Sequence, residues 1–192
     1  FENYQIDLIF HAAAYKHVTI VEKNIFSAFQ NNILSTYHLS SLALKYKIEK
    51  FVLVSSDKAV RPSNYMGASK RVAELIINNF NKISIKSNFK TIYTAVRFGN
   101  VVNSSGSVIP IFLNQINKEK KITLTHPDVS RYFMTIPQAV SLVLESSVIS
   151  KGGDVFLLDM GAPIKIIDII NRLVKLNGLT IKNTANPFGD IE

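Results

Sequence analysis

Hydrophobic and polar positions along this chain alternate between short apolar runs and longer periodic segments. "DLIFHAA" (7–13) is an apolar run closing on small residues, which predicts a buried parallel strand. From about 24 to 47, Phe26, Phe29, Ile33, Tyr37 and Leu44 recur at helical spacings. "KFVLVSS" (50–56) reads as a second buried strand and "TIYTAVRFGNV" (91–101) as a third. Between them, "NYMGASKRVAELIINNF" (64–80) predicts a helix, with Ser63 or Asn64 as N-cap and Pro62 just before it. Strands alternating with helices of about ten residues or more predict an α/β fold, a parallel sheet flanked by helices.

After Asn103 the texture changes. "NSSGSVIP" (103–110) reads as a loop, followed by a short helix and then strand and loop in "KITLTHPDVSRYFM" (121–134). "PQAVSLVLESSV" (137–148) returns to helix, and "DVFLLDMG" (154–161) is a late strand with a glycine stop. "IKIIDIINRLVKLNG" (164–178) is an amphipathic helix closed by Gly178. These segments suggest two parts: a core over 1–103 and a smaller lobe over 104–192, with the strand at 154–160 returning to the core.

Composition narrows the function classes. The 192 residues are 47 % hydrophobic and 19 % charged, which fits a folded globular chain rather than a disordered one. No cysteine is present, so there is no disulfide framework and no thiolate metal site, and a cytoplasmic setting is expected. No stretch approaches the roughly 20 apolar residues that span a bilayer. The net charge is +8, but the lysines are scattered, with "KEKK" (118–121) as their only cluster. Nucleic acid is therefore not an expected partner, and some positive charge suits a phosphorylated ligand. No His/Asp/Glu spacing points to a metal.

In open parallel sheets ligands sit beyond the carboxyl ends of the strands. Three such ends are visible: "HAAAYKH" (11–17), "SSDKAVRP" (55–62) and "RFGNVVNSSGS" (97–107). The small residues Ala12, Ala13 and Ala14 would let a flat cofactor ring approach the backbone. "SSDKAVRPSNYMGASKR" (55–71) also raises a question. Nicotinamide-dependent enzymes commonly use Tyr and Lys at i and i+4, yet the residue four before Lys70 is Met66. Tyr65 is one position early, about 100° around the helix from the Met66–Lys70 stripe.

The runs "HAAAYKHV", "VSSDKAVRPSNYMGASKR", "VRFGNVVNSSGSVIPIF", "THPDVSRYFMTIPQAV" and "VFLLDMGAPIKI" resemble the CapD-like polysaccharide-biosynthesis proteins. These are UDP-N-acetylglucosamine 4,6-dehydratases and near relatives within the extended short-chain dehydrogenase/reductase superfamily. The resemblance runs in the same order over nearly the whole chain. It implies a Rossmann-like doubly wound sheet with a smaller substrate-binding lobe, bound NAD and a UDP-sugar substrate. It also accounts for Met66, because this branch is similar in carrying Met where other members carry Tyr.

By the same resemblance the acid–base work falls to "SDK". Asp57 and Lys58 align with the Asp–Glu pair of related dehydratases, which implies Asp57 as acid for the C6 oxygen and Lys58, in its neutral form, as base at C5. Ser56 would hydrogen-bond the C4 oxygen, and Lys70 would hold the nicotinamide ribose. Ala12, Ala13, Ala14, Ser55, Phe98 and Gly99 are the further cofactor candidates. Lys16, Asn100, Ser107 and Arg131 are the substrate candidates, with Arg131 for the UDP phosphates. His17 follows Lys16 at the same rim. The alternatives are a UDP-sugar 4-epimerase of the same branch and a non-catalytic sugar-nucleotide-binding module.

One departure from the family pattern bears on activity. The Gly-rich turn that cradles the pyrophosphate would precede residue 1. Both ends of the chain read as cut, so an isolated 192-residue fragment is expected to be inactive. Any membrane contact would come through segments outside this chain, anchoring a longer parent on the cytoplasmic face of the inner membrane. A homo-oligomer stays open.

Overall fold

The apolar runs "FVL" (51–53) and "YTAV" (93–96) become buried strand interiors, whereas the strand in "DLIFHAA", expected to be buried, keeps Leu8 and Phe10 exposed. The computed structural model describes residues 1–192 except Asn103, Ser105, Thr125 and Leu158. In chain order the elements are β1 (Leu8–His11), α1 (Val18–Lys23), α2 (Ile25–Ala28), a π-helical turn (Phe29–Leu34) and α3 (Ser35–Lys45). Next come β2 (Lys50–Val54), a 3-10 turn (Asp57–Ala59), α4 (Tyr65–Lys86), β3 (Ile92–Arg97), β4 (Asn100–Val101) and α5 (Val108–Asn114). A second π-helical turn (Gln115–Glu119), β5 (Ser130–Arg131), β6 (Phe133–Met134), α6 (Ile136–Ile149), β7 (Val155–Leu157), β8 (Ile164–Lys165) and α7 (Ile166–Leu176) complete the chain.

The chain divides into two units, 1–98 with 139–158, and 99–138 with 159–192. The first crossing thus falls between Phe98 and Gly99, where the sequence texture suggested 103–104. The first unit is built on a four-stranded sheet in the order β1-β2-β3-β7, all parallel. Phe51 of β2 lies opposite Ile9 on one side and Tyr93 on the other, which sets the register. Phe51, Leu53, Tyr93 and Ala95 pack with Ala43 of α3 and Ala73, Ile77 and Phe80 of α4. Full burial of a side chain such as Phe51 contributes about 1.5–3 kcal/mol. The Tyr93 hydroxyl donates to the Ser40 carbonyl at 2.7 Å, so its buried polar end is satisfied, and burial pushes the phenol up from its ordinary value.

Helix α4 begins where its N-cap stands: Asn64 accepts from the Gly67 N–H at 2.8 Å. It continues to Lys86, past the predicted end at 80. The helix expected over 24–47 forms with a π-helical turn inside it, which shifts the phase of the buried face. The third strand, expected over 91–101, splits. The Asp57 N–H still reaches the Phe98 carbonyl at 3.1 Å, but from Asn100, whose N–H goes to the Tyr132 carbonyl at 3.0 Å, the chain pairs with β6.

The second unit holds a parallel pair, β4 with β6, and an antiparallel pair, β5 with β8. Gly99 opens it with its N–H on Met160 Sδ at 3.1 Å, and a Cβ there would come within 3.0 Å of that sulfur and of the Tyr132 carbonyl. Its core gathers Phe112 and Ile116 with Ile166, Ile170 and Val174, the i, i+4, i+8 stripe of α7. Gly178, with φ 71°, follows the capping Asn177. Asn103 and Ser105 of the expected loop, Thr125 of the expected strand-and-loop segment and Leu158 of the expected late strand lie outside the described residues. Among the described residues, no helix is long and apolar enough to cross a membrane.

Candidate active site

In the first unit, the backbone beyond β2 is hung from β3. Ser55 N–H donates to the Val96 carbonyl at 2.8 Å, and Asp57 N–H to Phe98 as above. Ser56 caps the short turn that follows, accepting from Lys58 N–H at 3.2 Å and donating its hydroxyl to Asp57 Oδ1 at 2.9 Å. The Lys58 ammonium meets the same oxygen at 2.9 Å. Asp57 and Lys58 are 26 % and 31 % exposed, so the pair is partly desolvated yet open to a ligand. The fold thus brings Ser56, Asp57 and Lys58 onto one hydrogen-bonded oxygen.

Lys70 reaches the same strand end from α4. Its Nζ donates to the Val54 carbonyl at 2.8 Å, and the side chain is buried. Burial pulls its pKa down to about 8, with the charge of Glu74 pulling the other way. Met66, one turn earlier, is buried against Val21 and Ala28, while Tyr65 is half exposed and its backbone N–H is held by Glu22 at 2.7 Å. Gly67 is required between them, because a Cβ would overlap the Lys58 carbonyl oxygen.

The loop after β1 carries Ala12 and Ala13 exposed and Ala14 half-buried, with Lys16 and His17 exposed. Its anchor is Asn32, in the π-helical turn and missed by sequence reasoning. Asn32 Oδ1 accepts from Tyr15 N–H at 2.7 Å, and its Nδ2 donates to the Tyr15 carbonyl at 3.1 Å and to Ser69 Oγ at 2.9 Å. An asparagine inside an apolar helical pattern was the signal available in the sequence. His11 Nε2 lies 2.9 Å from Thr36 Oγ1, whose single hydrogen goes to the Asn32 carbonyl at 2.8 Å. The histidine is therefore the donor. Burial, then the charge of Lys70, pulls its pKa down to about 4 and keeps it neutral.

In the second unit, Asn100 and Arg131 border one cleft of about 330 Å³ with apolar walls that include Val108, Ile111, Phe112 and Ile166. Arg131 is exposed, with one guanidinium N–H on the Ser130 carbonyl at 2.9 Å. Ser107 caps α5, and its buried hydroxyl meets no hydrogen-bond partner among the described residues. In the first unit, a larger groove of about 420 Å³ runs along α3 and α4, past Tyr37, Val72, Leu75 and Ile83. Its lining includes no carboxylate or ammonium group. Among the described residues, no group of three His, Cys, Asp or Glu side chains could hold a metal ion.

Comparison with known proteins follows these features. The family described as polysaccharide biosynthesis protein matches residues 1–190. The chain is 51 % identical over 183 residues to the capsular polysaccharide biosynthesis protein CapD of Staphylococcus aureus, covering 95 % of this chain and 30 % of that protein. It is 47 % identical to the probable polysaccharide biosynthesis protein EpsC of Bacillus subtilis strain 168, covering 99 % and 31 %. A UDP-glucose 4-epimerase of Rickettsia canadensis is 40 % identical over 79 % of this chain and 44 % of its own length. The chain thus spans about a third of the curated relatives that match most strongly. Among solved structures, Pen from Bacillus thuringiensis superposes with a TM-score of 0.85 at 40 % identity, covering 94 % of this chain and 55 % of that one. MoeE5 in complex with UDP-glucose and NAD shares the fold at a TM-score of 0.82 and 18 % identity, over 90 % of this chain and 63 % of that one. A DesIV double mutant, a dTDP-glucose 4,6-dehydratase from Streptomyces venezuelae with NAD bound, does so at 0.83 and 16 %, over 92 % and 59 %.

Proposed function

Because this chain belongs to the polysaccharide biosynthesis protein family, we propose that it carries the acid–base face of an NAD-dependent sugar-nucleotide 4,6-dehydratase. The substrate class is UDP-N-acetylglucosamine or a close UDP-hexosamine, used in surface polysaccharide assembly. The observation that carries the reading is the shared oxygen of Ser56, Asp57 and Lys58 at the end of β2.

The residues present suit the cofactor. Ala12 and Ala13 leave the end of β1 open to a flat ring, and Lys70 supplies an ammonium at the adjacent strand end. Ser55, Phe98 and Gly99 are the further contacts we assign to it. Held there, NAD would supply reversible hydride transfer with no net consumption of cofactor.

The chain's own part is proton management. Proton transfer from Lys58 to Asp57 across their 2.9 Å contact leaves an amine and a carboxylic acid, the base and acid that dehydration needs. Lys58 then takes the C5 proton, and Asp57 gives its proton to the departing C6 hydroxyl, which leaves as water. Lys58 returns its proton to C5 when C6 is reduced, and a proton from solvent, replacing the one that leaves the C4 hydroxyl through Ser56 to water, restores the ion pair. Ser56 holds the C4 oxygen. In the second unit, Arg131 and Asn100 suit a diphosphate beside an apolar cleft that can take a uracil, with Ser107 as a further polar contact, while Lys16 of the first unit is assigned to the sugar. The absence of cysteine fits a cytoplasmic setting.

The test is incubation of the native full-length protein with UDP-N-acetylglucosamine and mass spectrometry of the product. Loss of one water without net NAD reduction is expected. The second reading, a UDP-sugar 4-epimerase, is favoured by the Rickettsia relative. It predicts a product of unchanged mass with inverted C4, and that outcome would displace the dehydratase.

The same assay addresses the displaced tyrosine. Met66→Leu is nearly volume-conserving in its buried site and should cost less than about 1.5 kcal/mol. Tyr65→Phe should retain most activity, since the ring is half exposed and off the Lys70 stripe. A fall of more than about a hundredfold with folding intact, the scale of general acid–base catalysis, would assign Tyr65 the chemistry instead.

A further inference from the structure

Beside the Ser56–Asp57–Lys58 turn sits a buried charge cluster that the proposed chemistry does not use. Glu74 follows Lys70 by one turn of α4, and its side chain is 1 % exposed. Oε1 accepts from Ser55 Oγ at 2.6 Å and from Arg97 Nε at 2.7 Å. Oε2 accepts from Arg97 Nη2 at 2.6 Å and from Arg71 Nη1 at 3.0 Å. Ser55 directly follows β2, Arg97 ends β3, and Glu74 and Arg71 belong to α4. Three elements therefore end on one carboxylate. A buried charge is tolerated when its lone pairs are taken by charged donors, and a fully satisfied network fixes local geometry.

We propose that Glu74 is the positioning residue of the acid–base turn: its carboxylate locks the ends of β2 and β3 so that Ser56, Asp57 and Lys58 keep one geometry, and its charge faces Lys70 along α4. This rests on the reading of that turn as the catalytic one. Ser55 is the lever, since the residue bound by Glu74 immediately precedes Ser56, and its N–H and that of Asp57 are already bonded to β3's end. Lys70 interacts with Glu74 on its own helix and with His11 from β1, which stays neutral. Arg97 from β3 and Arg71 from α4 are bound to Glu74 itself. Burial lowers the Lys70 pKa, and the charge of Glu74 opposes this.

The experiment uses Glu74→Gln and Glu74→Asp with two readouts that do not depend on turnover. Amide hydrogen exchange at Ser55 and Asp57 should accelerate by at least about tenfold in both variants, while Val52 in mid-strand keeps its wild-type rate. Carbon-13 NMR of labelled lysine, with the Lys70 signal identified by Lys70→Arg, should give a midpoint near 8 in the wild type. It should fall by about one unit or more in Glu74→Gln and stay in place in Glu74→Asp, which retains the charge. Where Glu74→Gln does not fold, Glu74→Asp decides through its exchange pattern. Uniform acceleration along β2, or none, would overturn the proposal, because a merely stabilising cluster protects the whole strand alike. In the dehydratase assay the alkaline limb of the pH profile should move down with the Lys70 midpoint in Glu74→Gln. If no water is lost from the sugar at all, the function reading fails while the exchange and NMR results still judge Glu74.

Discussion

Lys58→Met should lower turnover of UDP-N-acetylglucosamine in the proposed dehydration by at least about 10²- to 10⁴-fold, the usual contribution of a positioned base. The expectation follows from the geometry at the end of β2. Lys58 is the cation on Asp57 Oδ1, and its removal leaves that oxygen with the Ser56 hydroxyl alone. Asp57 then loses the ammonium from which the proposed mechanism has it receive the proton for the C6 oxygen, so the base is removed and the acid is weakened with it. Folding should be nearly untouched, because an ion pair exposed to this degree contributes only about 0–1 kcal/mol. Oxidation at C4 does not pass through Lys58 and should persist in a single turnover. The decisive measurement is deuterium incorporation from solvent at C5. Incorporation at the wild-type rate in the variant would remove Lys58 from the mechanism.

Arg97→Met should cost about 3 kcal/mol or more in stability, the range for breaking a buried ion pair from one side. The variant loses two bonds of 2.7 and 2.6 Å and leaves Glu74 buried with Arg71 and Ser55. The pH dependence identifies the cause. In the wild type, burial pushes the Glu74 carboxyl up, but the bonds from Arg97, Ser55 and Arg71 pull it further down, so its net shift is downward. That contribution is present above the unfolded carboxylate value and is lost as pH falls through the folded one. Without Arg97 the largest of these opposing bonds is gone and the folded value rises, so part of the cost is relieved by protonation as pH falls. The stability gap between the two proteins should therefore narrow from about pH 7 to about pH 5 in urea titrations. A gap of equal size at both pH values would mean that lost packing, not the uncompensated carboxylate, sets the cost.

The sequence by itself determined the strand ends and the order of residues on them. "FVLV" (51–54) is apolar throughout because β2 lies inside the sheet between β1 and β3, and the polar residues that follow it had to lie where the sheet stops. The i, i+4 spacing of Met66 and Lys70, with Asn64 before them, fixed which residue takes the tyrosine position and where the helix begins. These are local facts: periodicity and capping act over one or two turns of chain. Only the tertiary structure decided that "RFGN" is a junction rather than the end of one strand. That outcome depends on Asn100 giving its N–H to the Tyr132 carbonyl and pairing with β6, partners distant in sequence. The same holds for the buried polar groups. Glu74 sits in "VAELI", where a helical glutamate reads as a solvated charge, and Asn32 reads as a helix-surface amide. Their burial is decided by partners elsewhere in the chain, Arg97 23 residues from Glu74 and Ser69 37 residues from Asn32. A charge or an amide goes inside when distant donors and acceptors converge on it, and no pattern along the chain records that convergence.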